Sequence, residues 1–471
     1  MAPALLDDTS SAKPRERPAS AAAGRARPPG PRGLPLLGCL PAFRRDPLAF
    51  LQRTAREHGD VAFFRLGTQN VFLLNDPELI REVLVQRQGL FTKSRGLRRA
   101  RALLGDGLLT SEGEVHHRHR RLVQPAFHPD RLQGYAEVMV DAALETGRRW
   151  RAGESVEVFS EMARITLGVV GTTLFSVEVE EEAQEIGTAL TSVLEMFSIM
   201  MLPFSGLVER LPLPVVRRFH AARSLLDGRM ERLIHERRES GRDSGDLLSM
   251  LLLAQDEAGG GLSDREVREE ALTLFLAGHE TTANALSWTL YLLASNPDCE
   301  ARLHRELEEV LGGRRPTFAD LPRLSWAEHV LAEAIRLYPP AWAIGRSARE
   351  ALELGGFEVP AGSTVILSAY VTQNDPRYFP HPEVFDPERW QPGPRAERPK
   401  FVYFPFGGGA RTCIGERFAM MEGVLILATL AQRWRLRLAP GQTVEPMPLI
   451  NTLRARGGLP LRLEARGAPA P

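Results

Sequence analysis

Apolar positions recur at helical spacing along most of this chain. From Arg131 to about Leu311 the pattern is almost continuously helical, broken only at Pro, Gly and Ser. Its longest stretch opens at Ser263-Asp264-Arg265-Glu266, a Ser–Glu capping box. It runs to Ser295, where Asn296-Pro297 stops it. About 32 residues at 1.5 Å each make roughly 48 Å, enough to cross a whole domain. A second pair, Ser325 with Glu328, predicts the start of the helix that carries Glu333 and Arg336. Further helices are predicted over Pro47–Glu57 and from about Gly415 to Trp434. The β-favouring runs are few. Val61–Leu66 and Val71–Leu74 read as a hairpin joined by Gly67-Thr68-Gln69-Asn70, and short strands return at Thr364–Leu367 and near the C-terminus. The pattern is mainly α with a small β region.

Length changes that picture little. At roughly 150 residues per domain the chain has room for about three domains, but no internal linker or repeat divides it. The first 33 residues are rich in Ala, Pro and Arg and end in Pro28-Pro29-Gly30-Pro31-Arg32-Gly33. They are expected to be a disordered leader, with one domain spanning residues 34–471. They lack a signal-peptide apolar core, and nothing approaches the 20 or so apolar residues of a membrane span. Asp7 and Asp8 weaken a transit-peptide reading, so the expected location is cytoplasmic. Lys plus Arg and Asp plus Glu both number 59, so no net charge draws the chain to nucleic acid or an anionic membrane. The acidic run Glu178, Glu180, Glu181, Glu182 and Glu185 reads as solvated surface. Three distant cysteines, Cys39, Cys299 and Cys413, fit a reducing compartment and exclude a multi-cysteine metal site. Core filling suits Cys39 and Cys299.

Cys413 has different neighbours. It sits in Phe406-Gly407-Gly408-Gly409-Ala410-Arg411-Thr412-Cys413-Ile414-Gly415, a glycine loop just before a predicted helix. There the helix dipole and free N–H groups favour a thiolate. A dinucleotide fingerprint is the obvious competitor. It lacks the third glycine, Pro405 interrupts the preceding strand, and no acidic residue follows at the required distance. Two more constellations stand out. Glu333-Ala334-Ile335-Arg336 places an acid and a base one turn apart, ordinarily a surface ion pair. His116 and Arg120 share a helix face; a histidine metal site is possible in principle there, but no acidic partner is expected nearby.

The cysteine loop resembles the haem loop of the cytochrome P450 family, F-x-x-G-x-R-x-C-x-G, matched by Phe406, Gly409, Arg411, Cys413 and Gly415. The resemblance runs from about Pro28 to Leu463. It implies a single, mainly helical P450 domain binding haem b, with Cys413 as axial ligand to iron. Thiolate donation favours O–O cleavage. Glu333 and Arg336 match the family's E-x-x-R, and Arg389 in Pro387-Glu388-Arg389-Trp390 matches its second arginine. The implied role of that trio is structural support of the haem loop. Ala277-Gly278-His279-Glu280-Thr281-Thr282 resembles the oxygen-activation motif. Gly278 is implied to admit the haem closely, Thr281 to bond a carbonyl one turn back, and Glu280 with Thr281 to deliver protons. His116, Arg120, Arg346 and Arg411 match propionate-contacting positions. Where many relatives carry His-Arg before Asp-Pro, this chain has Gln373-Asn374 before Asp375-Pro376.

The activity implied is insertion of one atom of dioxygen into a lipophilic molecule, such as a fatty acid or terpenoid. Its electrons are expected from a separate ferredoxin or flavodoxin served by an NAD(P)H-dependent reductase. Arg118, Arg121 and Arg417 are expected to form the cationic docking patch. The apolar stretch Val193–Val208 falls where the family has its access lid, although core packing explains it equally. A peroxide-driven peroxygenase would dispense with the Glu280–Thr281 pair. A haem-binding sensor or carrier without turnover would not need that pair either.

Overall fold

A computed structural model describes residues 27–176, 187–189, 191–193, 195, 196, 199, 211, 213–256, 259–449 and 452–467. The acidic run at Glu178–Glu185 lies outside them, as does most of Val193–Val208. The long helix spans Asp264–Ser295, and its capping box is reciprocal. The Ser263 hydroxyl accepts from the Glu266 N–H, and the Glu266 carboxylate accepts from the Ser263 N–H at 2.8 Å. The helix is buried along most of its length because two apolar clusters share it. Val267, Ala271 and Leu274–Leu276 join the cluster under the helix Pro214–Ser240. Ala283, Leu286 and Leu290 join a larger one with the helices Pro129–Arg149, Ser325–Leu337 and Glu416–Ala431. The helix Val158–Phe175 bridges both clusters from the opposite side. The segment Ala277–Thr282 falls between the two apolar halves.

The β region is small. Its main sheet runs Val61–Leu66, Gln69–Leu74, Thr364–Leu367, Ile344–Ala348, Phe91–Lys93, with only the second and third strands parallel. The first two strands form the expected hairpin, but with a tighter turn. Leu66 pairs with Gln69, leaving only Gly67 and Thr68 outside the ladder, and Gly67 takes the positive φ of +61° that such a turn needs. A three-stranded sheet orders Ser155–Glu157, Pro460–Ala465 and Trp434–Arg437. The helix after the cysteine loop therefore stops at Ala431, earlier than its pattern predicts, and Trp434 begins a strand.

Two other expectations need correction. The leader was expected to run to Gly33, but Pro28 is buried and the Pro29 carbonyl accepts from the Phe63 N–H at 2.9 Å. A side chain on Gly30 would collide with the Phe63 carbonyl. The segment 28–33 is thus packed against the first strand. Ser325 with Glu328 is not a capping box either. Ser325 is the first helical residue, and the free N–H groups of Trp326 and Ala327 donate to Glu306 of the preceding helix at 2.6 and 2.9 Å. Among the described residues no helix is long and apolar enough to cross a membrane.

Candidate active site

The cysteine loop is shaped by close backbone packing. Gly407 and Gly409 have φ of +75° and +70°, and a side chain on Gly409 would lie 2.1 Å from the Leu84 carbonyl oxygen. The Cys413 N–H donates to the Phe406 carbonyl at 2.9 Å, closing the loop. The helix Glu416–Ala431 starts just beyond, and the Gly415 N–H points at the Cys413 sulfur. Cys413 keeps accessible surface yet is ringed by protein. Burial pushes its thiol up, and the Gly415 N–H draws it partly back.

A set of basic side chains converges beside this loop. The helix Gly113–Val123 supplies His116 and Arg120, the strand Ile344–Ala348 supplies Arg346, and the loop itself supplies Arg411. Arg120 donates to the Thr412 carbonyl at 2.7 Å, and Arg411 pairs with Glu112. Burial, then Arg411 and Lys93, push His116 down to about 3, so its imidazole is neutral. Burial and Arg411 lower Arg346 to about 10. Lys93, which no motif singled out, ends the strand Phe91–Lys93 and is 4 % exposed. Its ammonium donates to the Leu108 and Ser111 carbonyls at 2.8 Å. Burial, then Arg411, lower it to about 7. Glu112 and Glu270 are the carboxylates acting on these groups, too few for the basic side chains gathered there. Such a surplus of buried and half-buried donors calls for an anion. A cysteine with accessible surface, beside groups able to meet two carboxylates, fits a haem with its propionates.

On the long helix, Thr281 donates to the Ala277 carbonyl at 2.7 Å, as expected of a hydroxyl bonded one turn back. A side chain on Gly278 would meet Val170 at 3.2 Å, so its small size also serves packing against the helix Val158–Phe175. Glu280 is buried and committed. Its carboxylate accepts from the Thr452 hydroxyl and Arg454 Nε, each at 3.0 Å, and pairs with the Arg454 guanidinium.

The structure brings Glu333, Arg336 and Arg389 together. Glu333 and Arg336 are both 0 % exposed and joined by two bonds of 2.9 and 2.8 Å. Arg389 lies 3.3 Å from the same carboxylate. Glu333 also accepts from Trp390 Nε1 at 2.9 Å and the Asp386 N–H at 3.1 Å. Arg336 donates onward to the Gln373, Pro382 and Val384 carbonyls. Gln373, at the position where the sequence departs from its relatives, is fully buried. It donates to the Ile335 and Arg336 carbonyls and accepts from the Phe404 N–H, tying this helix to the segment that enters the cysteine loop.

Two expectations about the helix Gly113–Val123 fail for one reason: its partners come from far along the chain. His119 does have acidic neighbours, Glu270 at 2.7 Å and Glu266 at 3.2 Å, both on the long helix. Burial opposes its charge, but the two carboxylates prevail and hold its pKa above the usual histidine range. Among the described residues no group of three such side chains is placed to hold a metal ion. Arg118 is spent inside the molecule, on Asp256 at 2.9 Å, Glu266 at 3.1 Å and the Gly261 carbonyl at 2.6 Å. It is therefore unsuited to a docking patch. Arg121 and Arg417 are exposed.

With this geometry in place, comparison with known proteins assigns the class. The family model described as Cytochrome P450 matches residues 28–455, and the chain belongs to that family. It is a haem b-dependent monooxygenase of the P450 fold. Cyclooctatin synthase of Streptomyces melanosporofaciens is 44 % identical, over 89 % of this chain and 92 % of that protein. Cyclooctat-9-en-7-ol 5-monooxygenase of the same organism is 40 % identical, over 91 % and 94 %. Pentalenene oxygenase of Streptomyces avermitilis is 36 % identical, over 93 % and 97 %. The solved structure of retinoic acid bound cyanobacterial CYP120A1 superposes with a TM-score of 0.83 at 29 % identity, covering 94 % of this chain and all of that one.

Proposed function

We propose that this chain hydroxylates a terpenoid, with Cys413 ligating the haem iron and His116, Arg120, Arg346 and Arg411 meeting the propionates. The observation that carries the site is the accessible Cys413 sulfur under the Gly415 N–H, next to the half-buried Arg120, Arg346 and Arg411 and the neutral His116. Relatives named for cyclooctat-9-en-7-ol and pentalenene support the substrate class.

Bound haem supplies dioxygen activation and oxygen-atom transfer. The protein's own part is to orient and to protonate. The Gly415 N–H tempers the charge on the Cys413 sulfur, tuning it as a ligand. Arg346 and Arg411 would hold the cofactor's propionates. Thr281, held by the Ala277 carbonyl, offers its oxygen at the turn where a proton is needed. Glu333, Arg336 and Arg389 act as scaffold for the loop rather than as chemistry.

Electrons come from a separate ferredoxin or flavodoxin with its NAD(P)H-dependent reductase, docking over exposed Arg121 and Arg417. The protein works in the cytoplasm, a location that suits its free cysteines. The decisive experiment combines spectroscopy with turnover. The reduced, CO-bound protein should show the red-shifted Soret band of a thiolate-ligated haem, and Cys413→Ala should abolish it; a normal band in that variant overturns the ligand. With surrogate partners and a library of cyclic terpenes and terpene alcohols, Thr281→Ala should bind substrate but lower product per NAD(P)H consumed. Turnover with peroxide alone, and none with reductant, would instead favour a peroxygenase.

A further inference from the structure

Residues 105–112 join the helix Arg95–Leu104 to the helix Gly113–Val123 and strap the long helix to the cysteine loop. At one end the Ser111 carbonyl accepts from Arg411 at 3.1 Å and from Lys93 at 2.8 Å, and Glu112 pairs with Arg411. The other end lies flush on the long helix, one to two turns before Ala277. Side chains on Gly105 and Gly107 would come within 2.1 Å of the Glu269 carboxyl carbon and 2.2 Å of the Thr273 hydroxyl. The Asp106 and Leu108 N–H groups donate to Glu269 at 2.7 Å and to Glu270 at 3.1 Å. Leu108 and Leu109 pack into the apolar cluster that also takes Leu276 of the long helix and Ile414 of the cysteine loop.

The hold on Leu108 depends on His119. Glu270 is 0 % exposed; one of its oxygens accepts from Leu108 and the other lies 2.7 Å from His119 Nδ1. His119 Nε2 lies 3.2 Å from Glu266. Carboxylates thus face both ring nitrogens, and only the imidazolium can donate to both. A neutral ring would turn a lone pair to one carboxylate and leave no cation bonded to the buried Glu270. The other charges nearby are accounted for. Arg118 donates to Glu266 and Asp256, Glu269 is occupied by Asp106 and Arg265, and Lys93 acts on Glu270 from the strap's far end. His116 is neutral, and the helix Leu247–Leu253 and the turn Gln124–Phe127, which pack on this helix, carry no ionisable side chain.

We propose that His119 is the latch of this strap: its imidazolium neutralises Glu270, and loss of that proton to water releases residues 105–112 from the long helix and eases passage of a ligand to the haem. His119 touches neither haem nor substrate, so it is a positioning residue. Burial opposes its charge, but Glu270 and then Glu266 outweigh burial and raise its pKa. The latch is therefore complete below the ordinary histidine range and is lost as pH rises through the raised value. The inference rests on the haem site described above.

The test uses the haem-loaded protein, with haem content and the CO-bound spectrum recorded first. Hydrogen exchange in a peptide covering residues 105–112, corrected for its intrinsic rise with pH, should be slow at neutral pH and quicken above the ordinary histidine range. His119→Phe should quicken it about tenfold at neutral pH, as loss of one hydrogen bond to a charged group does, and make it flat with pH. His119→Gln, which keeps one donor without the charge, should lie between the two in rate and also be flat; it carries the test if His119→Phe fails to load haem. Glu270→Gln should move the parent's pH dependence to lower pH, because it removes a carboxylate that holds the proton. Binding of 4-phenylimidazole to the ferric haem, followed by stopped flow, should quicken in step with exchange. Unchanged exchange in both His119 variants sinks the latch, and so does a pH dependence that survives in them, which would belong to Lys93. In either case a normal thiolate spectrum leaves the haem reading standing. A parent without that spectrum would overturn the haem reading, while the exchange still judges the latch.

Discussion

Glu333 and Glu422 are both fully buried carboxyls on neighbouring helices, and the fold treats them in opposite ways. Glu333 accepts from Arg336, Trp390 and the Asp386 backbone and faces Arg389. Glu422 has no formed hydrogen bond and no charge nearby. The first is a saturated anion that fastens one segment to another. The second costs less as a neutral acid than as an ion. Burial by itself therefore says little about what a carboxyl does; the number of donors aimed at it decides.

The sharpest way to break this contrast is Glu333→Ala. It strands a fully buried guanidinium, Arg336, and should cost about 3–5 kcal/mol. Loss of haem incorporation and a much lower denaturation midpoint are expected; a well-folded, haem-replete variant would contradict the anchoring role. Trp390→Phe removes a single donor to the same carboxylate. A hydrogen bond to a charged group contributes about 1.5–3 kcal/mol, so a smaller loss of stability with haem retained is expected. Glu422→Gln should behave in the reverse sense. An acid whose pKa rises from its ordinary value to about 8 on folding binds a proton the unfolded chain has already released. The parent's stability should then fall relative to Glu422→Gln by about 1.4 kcal/mol per pH unit between the ordinary carboxyl range and pH 8. Denaturation curves of both proteins at pH 5, 6, 7 and 8 measure that slope; parallel curves would place a counter-charge at Glu422. Glu306, partly buried and holding two backbone N–H groups of another helix, sits between these extremes. Glu306→Ala should cost about 1 kcal/mol, as loss of a helix cap does. Ser325→Ala should cost a few tenths at most, since its hydroxyl caps nothing. A larger loss in Ser325→Ala would restore the cap that its sequence suggested.

What could be read in advance followed the range of each interaction. The long helix was legible because Ser263, Glu266 and Asn296-Pro297 are its own residues. The cysteine loop was legible because its motif is contiguous. Glu306 could not be foreseen as the cap of a helix 19 residues on, because nothing local distinguishes it from Glu328. Arg118 read as a free surface cation because its partners, Asp256 and Glu266, lie 138 and 148 residues away. Lys93 and Gln373 carry no motif, and only the packing of distant strands and loops makes them buried ties. Gly278 belongs to a recognised motif, but its contact with Val170 belongs to the packing of two helices.

The one parallel pairing of the main sheet has a consequence for synthesis. Val71 to Leu74 must wait for Thr364 to Leu367, about 290 residues later in the chain. At about 5–20 residues per second the ribosome needs roughly 15–60 s to deliver that strand. During this interval the nascent hairpin presents an unpaired edge of Val71, Phe72, Leu73 and Leu74, a template for wrong partners. Yield in cells should therefore depend on translation speed and chaperone supply as well as on the stability of the finished protein.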